Sequence, residues 1–355
     1  MKVRAVDLFC GVGGLTRGLI DSGIDVIAGV DIDSSCKFPY ETNNSSKFIN
    51  KSVDEFEPKE IINFFGKSKY TVLAGCAPCQ PFSKHQKNKY DRSKHKDWSL
   101  LYSFLKQIRI VRPTVVSMEN VPELQNEVVF HDFINGLHEL NYFVSYSIVD
   151  ASNYGVPQKR YRLLLLASLL GEINLIPPTH KKPITVREAI SDLPQIKAGE
   201  KYKGDILHYS SKLSETNLKR IKNSNPGGTW TTWPDELKLS CHKKNTGSTY
   251  KSVYGRMEWD KPSPTLTTQF HNYGTGRYGH PEQDRAISLR EGAILQSFPT
   301  NYQFIDVNSF NVSRISRHIG NAVPPKLGEI IGRSIRIHIK EHKKNARLIN
   351  NQHEG

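Results

Sequence analysis

Long apolar runs are missing from this chain of 355 residues: no stretch of about 18 hydrophobic residues occurs, so no membrane span is expected. Cysteine is scarce and odd in number, five in all, which argues against a disulfide framework and for free thiols in a reducing cytoplasm. The opening Met1-Lys2-Val3-Arg4-Ala5-Val6-Asp7 enters a strand pattern at once, so a secretory leader is not expected. Acidic residues are in the minority. The 35 Asp and Glu face 49 Lys and Arg, a formal charge of +14. Such an excess favours a polyanionic partner through steering and counterion release, yet says nothing about fold.

What is present is alternation. Strand patterns at 3–9, 25–30, 71–74, 114–118, 143–149 and 163–167 interleave with helical patterns at 15–22, 100–111 and 133–140. The first fifty residues read strand, glycine loop, helix, strand, acid, the order of a nucleotide-binding α/β half. An α/β fold with a doubly wound, mostly parallel sheet is expected. Past Pro177-Pro178 the composition shifts to Gly, Pro, Thr, Ser and aromatics, with one long helix expected at 289–296. That predicts an inserted, smaller, loop-rich domain with short strands over 185–309. The sheet domain then takes 1–184 and 310–340, closing with an apolar helix over 320–339, and a basic tail at 341–355 is expected to fray.

Cys79, in Ala77-Pro78-Cys79-Gln80-Pro81-Phe82-Ser83, follows a buried strand that ends in Gly75. A thiol on the loop leaving a parallel strand sits where open α/β sheets place their ligands, and Pro78 limits the ways it can point. Cys79 is therefore the candidate nucleophile. The basic stretch 84–97 reads as a cover above it or as a solvated loop. Gly11-Val12-Gly13-Gly14 would let backbone approach a ligand at a helix start, or make a tight turn; Thr16 breaks the G-x-G-x-x-G spacing. Asp31, ending the second strand, could accept ribose hydroxyls, and Phe9 could lie against adenine. Glu119 ends a neighbouring strand and should face the same crevice as a proton donor, unless it merely caps the next helix. Gln158, Arg160 and Arg162 alternate onto one face, a solvated edge or a clamp for an anionic substrate.

Cys76 and Cys79 make a C-x-x-C, but a polar loop follows rather than a helix, and Cys241-His242 is the only second pair. Neither a thioredoxin-like site nor a metal is expected, and Cys10, Cys36 and Cys241 read as inert thiols.

Six blocks in order carry a resemblance: 7–14, Pro78-Cys79-Gln80, Glu119-Asn120-Val121, Gln158-x-Arg160-x-Arg162, Arg290-Glu291 with Gln296-x-Phe298-Pro299, and Gly320-Asn321-Ala322-Val323. Over most of its length the chain resembles the C5-cytosine DNA methyltransferases of bacterial restriction-modification type. The resemblance implies a class I fold that binds S-adenosylmethionine, with 185–309 as target recognition domain. It implies catalytic roles for Cys79, Glu119, Arg160 and Arg162. The cofactor would meet Phe9, Cys10, Gly11, Gly13, Gly14 and Leu15, then Asp31 and Ile32, with Pro78, Leu100, Asn321 and Val323 lining its site. Lys51-Ser52-Val53 stands where members often carry Gly-Asp-Ile, a departure at the adenine contact.

Cys79 would add to C6 of a cytosine flipped out of the duplex. Gln80, Ser83, Gln158, Arg256 and Arg277 would contact DNA. Asn272, His280 and Gln283 are further base-edge candidates by residue type, whereas Trp230, Trp233 and Trp259 suit a core. Double-stranded DNA is the implied partner of a cytoplasmic, nucleoid-associated monomer, with a restriction endonuclease acting separately. The rival readings are a tRNA cytosine-5 methyltransferase, an inactive DNA-binding module and a nicotinamide dehydrogenase, the last opposed by the broken glycine spacing.

Overall fold

A computed structural model describes residues 2–78, 98–244, 247, 251–306 and 309–353. The chain forms two compact units. The first comprises Met1–Asp150, Tyr161–Pro178 and Val323–Gly355, the second Ala151–Arg160 and Thr179–Ala322. Residues 151–160, 179–184 and 310–322, which composition leaves with the sheet domain, group by their contacts with the second unit.

The first unit runs β1 (Val3–Leu8), α1 (Gly14–Asp21), β2 (Asp25–Asp31), α2 (Lys37–Asn43), β3 (Lys47–Asn50), α3 (Pro58–Phe65), β4 (Tyr70–Gly75), α4 (Trp98–Val111), β5 (Val115–Asn120), α5 (Val128–Glu139), β6 (Phe143–Asp150) and β7 (Tyr161–Ser168). Its seven-stranded sheet has the order β3-β2-β1-β4-β5-β7-β6. The first five strands are parallel, and β7 runs antiparallel to both neighbours. This is the mostly parallel sheet expected. β1, β4 and β5 are buried almost throughout, which is why β4 reads as an apolar run and β1 alternates only at its start. β3, α2 and α3 lie outside the predicted elements. β3 is a four-residue edge strand with only Phe48 buried, too short for a pattern to register. One core joins Leu73, Met118 and Leu165 of the sheet to Phe104 of α4 and Phe130 and Phe133 of α5.

The second unit holds α6 (Val186–Ile190), α7 (Glu215–Lys222), α8 (Leu289–Leu295) and α9 (Val312–Asn321). Where short strands were expected, its described residues carry isolated β-bridges only. Its interior is aromatic: Trp230, Trp233 and Tyr273 pack with Ile221, and the Ser224 hydroxyl accepts from Trp233 Nε1 at 2.8 Å while meeting the Tyr273 hydroxyl at 2.8 Å.

The helix expected over 320–339 is two helices. α9 stops at Asn321, and α10 (Pro325–His353) starts afresh in the first unit. Pro324 and Pro325 force the break, because a residue before proline is driven out of helical geometry while proline itself suits a first turn. α10 then continues to His353, so the tail is helical where fraying was expected. It meets α1 backbone to backbone at Gly18: a Cβ there would stand 2.2 Å from Pro325 O and 2.4 Å from Glu329 N.

Candidate active site

Parallel strands end at a common edge, so the residues after β1, β2, β4 and β5 gather there. An antiparallel strand begins where its neighbours end. Asn120 of β5 faces Leu163 of β7, and this register brings Arg162 to Glu119. Arg162 Nε lies 2.9 Å from Glu119 Oε1, with Glu119 only 3% exposed. On the other oxygen, Cys76 Sγ stands 2.8 Å from Oε2. Asn120 Nδ2 donates to Ala77 O at 3.1 Å and so ties the end of β5 to the segment that leads to Cys79. Cys79 itself, with Gln80 and Ser83, lies outside the described residues.

At the same edge β1 delivers the glycine loop. Gly11 N donates to Asp31 Oδ2 and Asp33 N to Asp31 Oδ1, both at 2.8 Å, so one carboxylate pins the loop to the end of β2. Burial raises the Asp31 pKa, and those two backbone donors oppose the rise. Gly13 caps α1 at φ 87°, and Phe9 holds φ 58°, a region bulky side chains avoid and one that recurs at ligand-binding turns. A Cβ on Gly11 would meet nothing within 4 Å, so the loop faces open space. Ile32 is 72% exposed beside it, a large apolar side chain left uncovered at a strand end. Cys10, Leu15 and Val323 are buried, Gly14 is buried in the first turn of α1, Pro78 and Leu100 are half-buried, and Asn321 is exposed at the end of α9.

Under the loop, Thr16 Oγ1 donates to Asp7 Oδ2 at 2.7 Å and meets the Tyr40 hydroxyl at 3.0 Å. A hydroxyl, rather than a glycine, stands here because Asp7 is 1% exposed and needs a donor. Burial lifts the Asp7 pKa from 3.8 to about 7. The folded chain therefore keeps a proton that the unfolded chain releases. Its stabilisation is full below pH 3.8 and lost as pH rises through about 7. Asp7→Asn, which cannot ionise, should flatten the fall in stability across that window, by up to about 4 kcal/mol in denaturant titrations of the two proteins.

A family model for the C-5 cytosine-specific DNA methylases matches residues 3–336. The chain belongs to that family. It is similar to a Type II methylase, M.HgiDII of Herpetosiphon aurantiacus, at 50% identity over 95% of this chain and 96% of the relative. The Type II methyltransferase M1.BsuMI of Bacillus subtilis is 32% identical over 93% of this chain and 79% of its own. Among solved structures, a DNA modification methyltransferase encoded within an E. coli prophage matches with a TM-score of 0.73 at 22% identity, covering 96% of this chain and all 100% of that one. The sheet is that of the class I methyltransferase fold.

In this DNA methylase the remaining motif residues are internal ties. Gln158, fully buried, donates to Gln296 Oε1 at 2.6 Å and accepts from Leu266 N at 3.0 Å. Arg160 donates to Leu266 O at 3.1 Å and Gly320 O at 3.2 Å, and Gln296 reaches Ala322 O at 2.7 Å. Arg256 is 5% exposed, and its five N–H groups are taken by the carbonyls of Ile221, Ser224, His280 and Gln283 and by Asp284. No donor is left for a phosphate, so the geometry speaks against DNA contact by Arg256, and full burial speaks against it for Gln158. Burial holds His280 neutral, its pKa pushed down to about 4, and Gln283 Oε1 accepts from Arg285 Nε. Arg277 and Asn272 are exposed; the stem of Arg277 lies over Gly255, where a Cβ would come within 2.6 Å of its Cγ. Sequence reasoning missed the Cys76 contact with Glu119, for which C-x-x-C spacing suggested only redox or zinc roles.

Proposed function

We propose that this methylase transfers a methyl group from S-adenosylmethionine to C5 of a cytosine flipped out of a short, specific duplex sequence. The observation that carries the reading is the Glu119–Arg162 pair at the sheet edge that also presents the glycine loop. The loop suits the cofactor. Open space above Gly11, the strained turn at Phe9, the Asp31 carboxylate and the uncovered Ile32 match a nucleoside with a ribose and a flat base. When bound, S-adenosylmethionine supplies an electrophilic methyl group.

Cytosine C5 is a weak nucleophile. The Cys79 thiolate adds to C6 and pushes electron density onto C5. A proton shared between Glu119 and N3 offsets the charge that develops on the ring, while the same carboxyl group, held by Arg162, accepts from the exocyclic amine. Once C5 carries the methyl group, loss of its proton to water expels the Cys79 thiolate and restores the aromatic ring. Arg162 orients the base through Glu119, while Arg160 and Gln158 hold the recognition unit, 185–309 at its centre, in shape. Of the candidate base-reading residues in this unit, Arg277 and Asn272 are exposed and remain open to DNA. The monomer works in the cytoplasm beside a separate restriction endonuclease, a role supported by its likeness to Type II methylases. Among the described residues no helix is long and apolar enough to cross a membrane.

Bisulfite sequencing of DNA incubated with the protein, with and without S-adenosylmethionine, tests this reading. Cofactor-dependent protection at one short motif is expected. Protection of tRNA cytosines with none on any DNA would overturn the substrate assignment.

A further inference from the structure

We propose that Cys76 is a positioning residue for methyl transfer, its thiol fixing the plane of the Glu119 carboxylate; this rests on the role given to Glu119 above. The register of the sheet makes the contact. Gly75 of β4 pairs with Met118 of β5, so the next residues on each strand, Cys76 and Glu119, emerge side by side. Cys76 is itself anchored, its N–H donating to Leu8 O at 3.4 Å. A carboxylate held at one oxygen pivots about that bond. Arg162 holds Oε1 at 2.9 Å, and Cys76 Sγ, 2.8 Å from Oε2, removes the remaining freedom. With a guanidinium on Oε1, the thiol is the partner that donates to Oε2, a charge-assisted bond of the stronger kind. Both holds reach Glu119 from the strands that flank β5, Cys76 just past the end of β4 and Arg162 on β7, which suits a group that must meet a base within a few tenths of an ångström.

The alternative use of a half-buried cysteine is to fill space, and the two make opposite demands on its replacements. A space-filler tolerates Ala better than Ser; a donor tolerates Ser better than Ala. The test is methyl transfer to a duplex carrying the protected motif by Cys76→Ala, Cys76→Ser and Glu119→Gln, with melting temperature and cofactor dissociation constant measured on each. Cys76→Ala should lower kcat about tenfold, the loss of one bond to a charged group. KM for DNA and the cofactor constant should stay within about twofold, as expected when an interaction matters only in the transition state. Cys76→Ser should recover at least half the wild-type rate. Cys76→Gly repeats the truncation should the alanine protein melt early. In the Glu119→Gln background, Cys76→Ala should cost nothing more. Full activity of Cys76→Ala, or Ser no better than Ala, overturns the proposal. Full activity of Glu119→Gln instead overturns the reading of Glu119, whatever the Cys76 variants do.

Discussion

Cys79→Ala should leave every target cytosine open to bisulfite conversion, with methyl transfer reduced at least about 10⁴-fold, as when other enzymes lose their nucleophile. The size follows from the chemistry. Without addition at C6 the cytosine ring keeps its aromatic stabilisation and C5 does not attack carbon, so the loss falls on kcat and not on binding. The cofactor loop and the carboxylate that pins it belong to other strand ends, so cofactor affinity should be unchanged. A neighbouring thiol should not rescue the reaction, because Cys76 is held against Glu119 Oε2. Glu119→Ala should be milder, about 10²- to 10³-fold, the range for removing one stabilising group from a developing charge. Two readouts check the pair. Duplexes containing 5-fluorocytosine should form a covalent adduct with wild type and none with Cys79→Ala. Residual transfer above about one part in a hundred by Cys79→Ala would mean another nucleophile carries the reaction.

Glu291→Ala should destabilise the recognition unit by about 3–5 kcal/mol, the largest expected effect on folding, because it strands a buried charge. Arg285 is fully buried, and its guanidinium grips Glu291 with two bonds of 2.7 Å. Glu291 also accepts from Ser288 N at 2.6 Å, while its own N–H donates to Ser288 Oγ at 3.0 Å, closing a capping box at the start of α8. Although burial opposes ionisation, Arg285 and Ser288 prevail and hold the Glu291 pKa down at about 2, from 4.5. A depressed carboxyl stabilises the fold above its unfolded pKa, and that contribution fades as pH falls from 4.5 through about 2. Chemical denaturation at pH 7 should show the full deficit for Glu291→Ala, narrowing on acidification. An unchanged midpoint at pH 7 would show that the pair is not a structural tie.

These two residues mark where reading along the chain succeeds and where it stops. By itself the sequence determined the parallel sheet, because buried strands flanked by glycines and acids are local patterns: Val3 to Leu8 into the glycine loop, Tyr70 to Gly75 into Cys79. It also determined the reaction family, since six short blocks in order are a covalent property of the chain. It could not separate residues that act from residues that hold. Glu119 and Glu291 are both buried carboxylates beside an arginine, and each belongs to a recognisable block. One pair stands at a strand-end crevice, and the other closes a helix cap inside a folded unit. Likewise Gln158, Arg160 and Arg162 share an alternating pattern, yet the first two spend their donors on internal acceptors while Arg162 reaches Glu119. Only the tertiary structure decided this, because the direction of β7 against β5 and the register of β4 with β5 bring together residues forty or more positions apart, and no local spacing encodes that meeting.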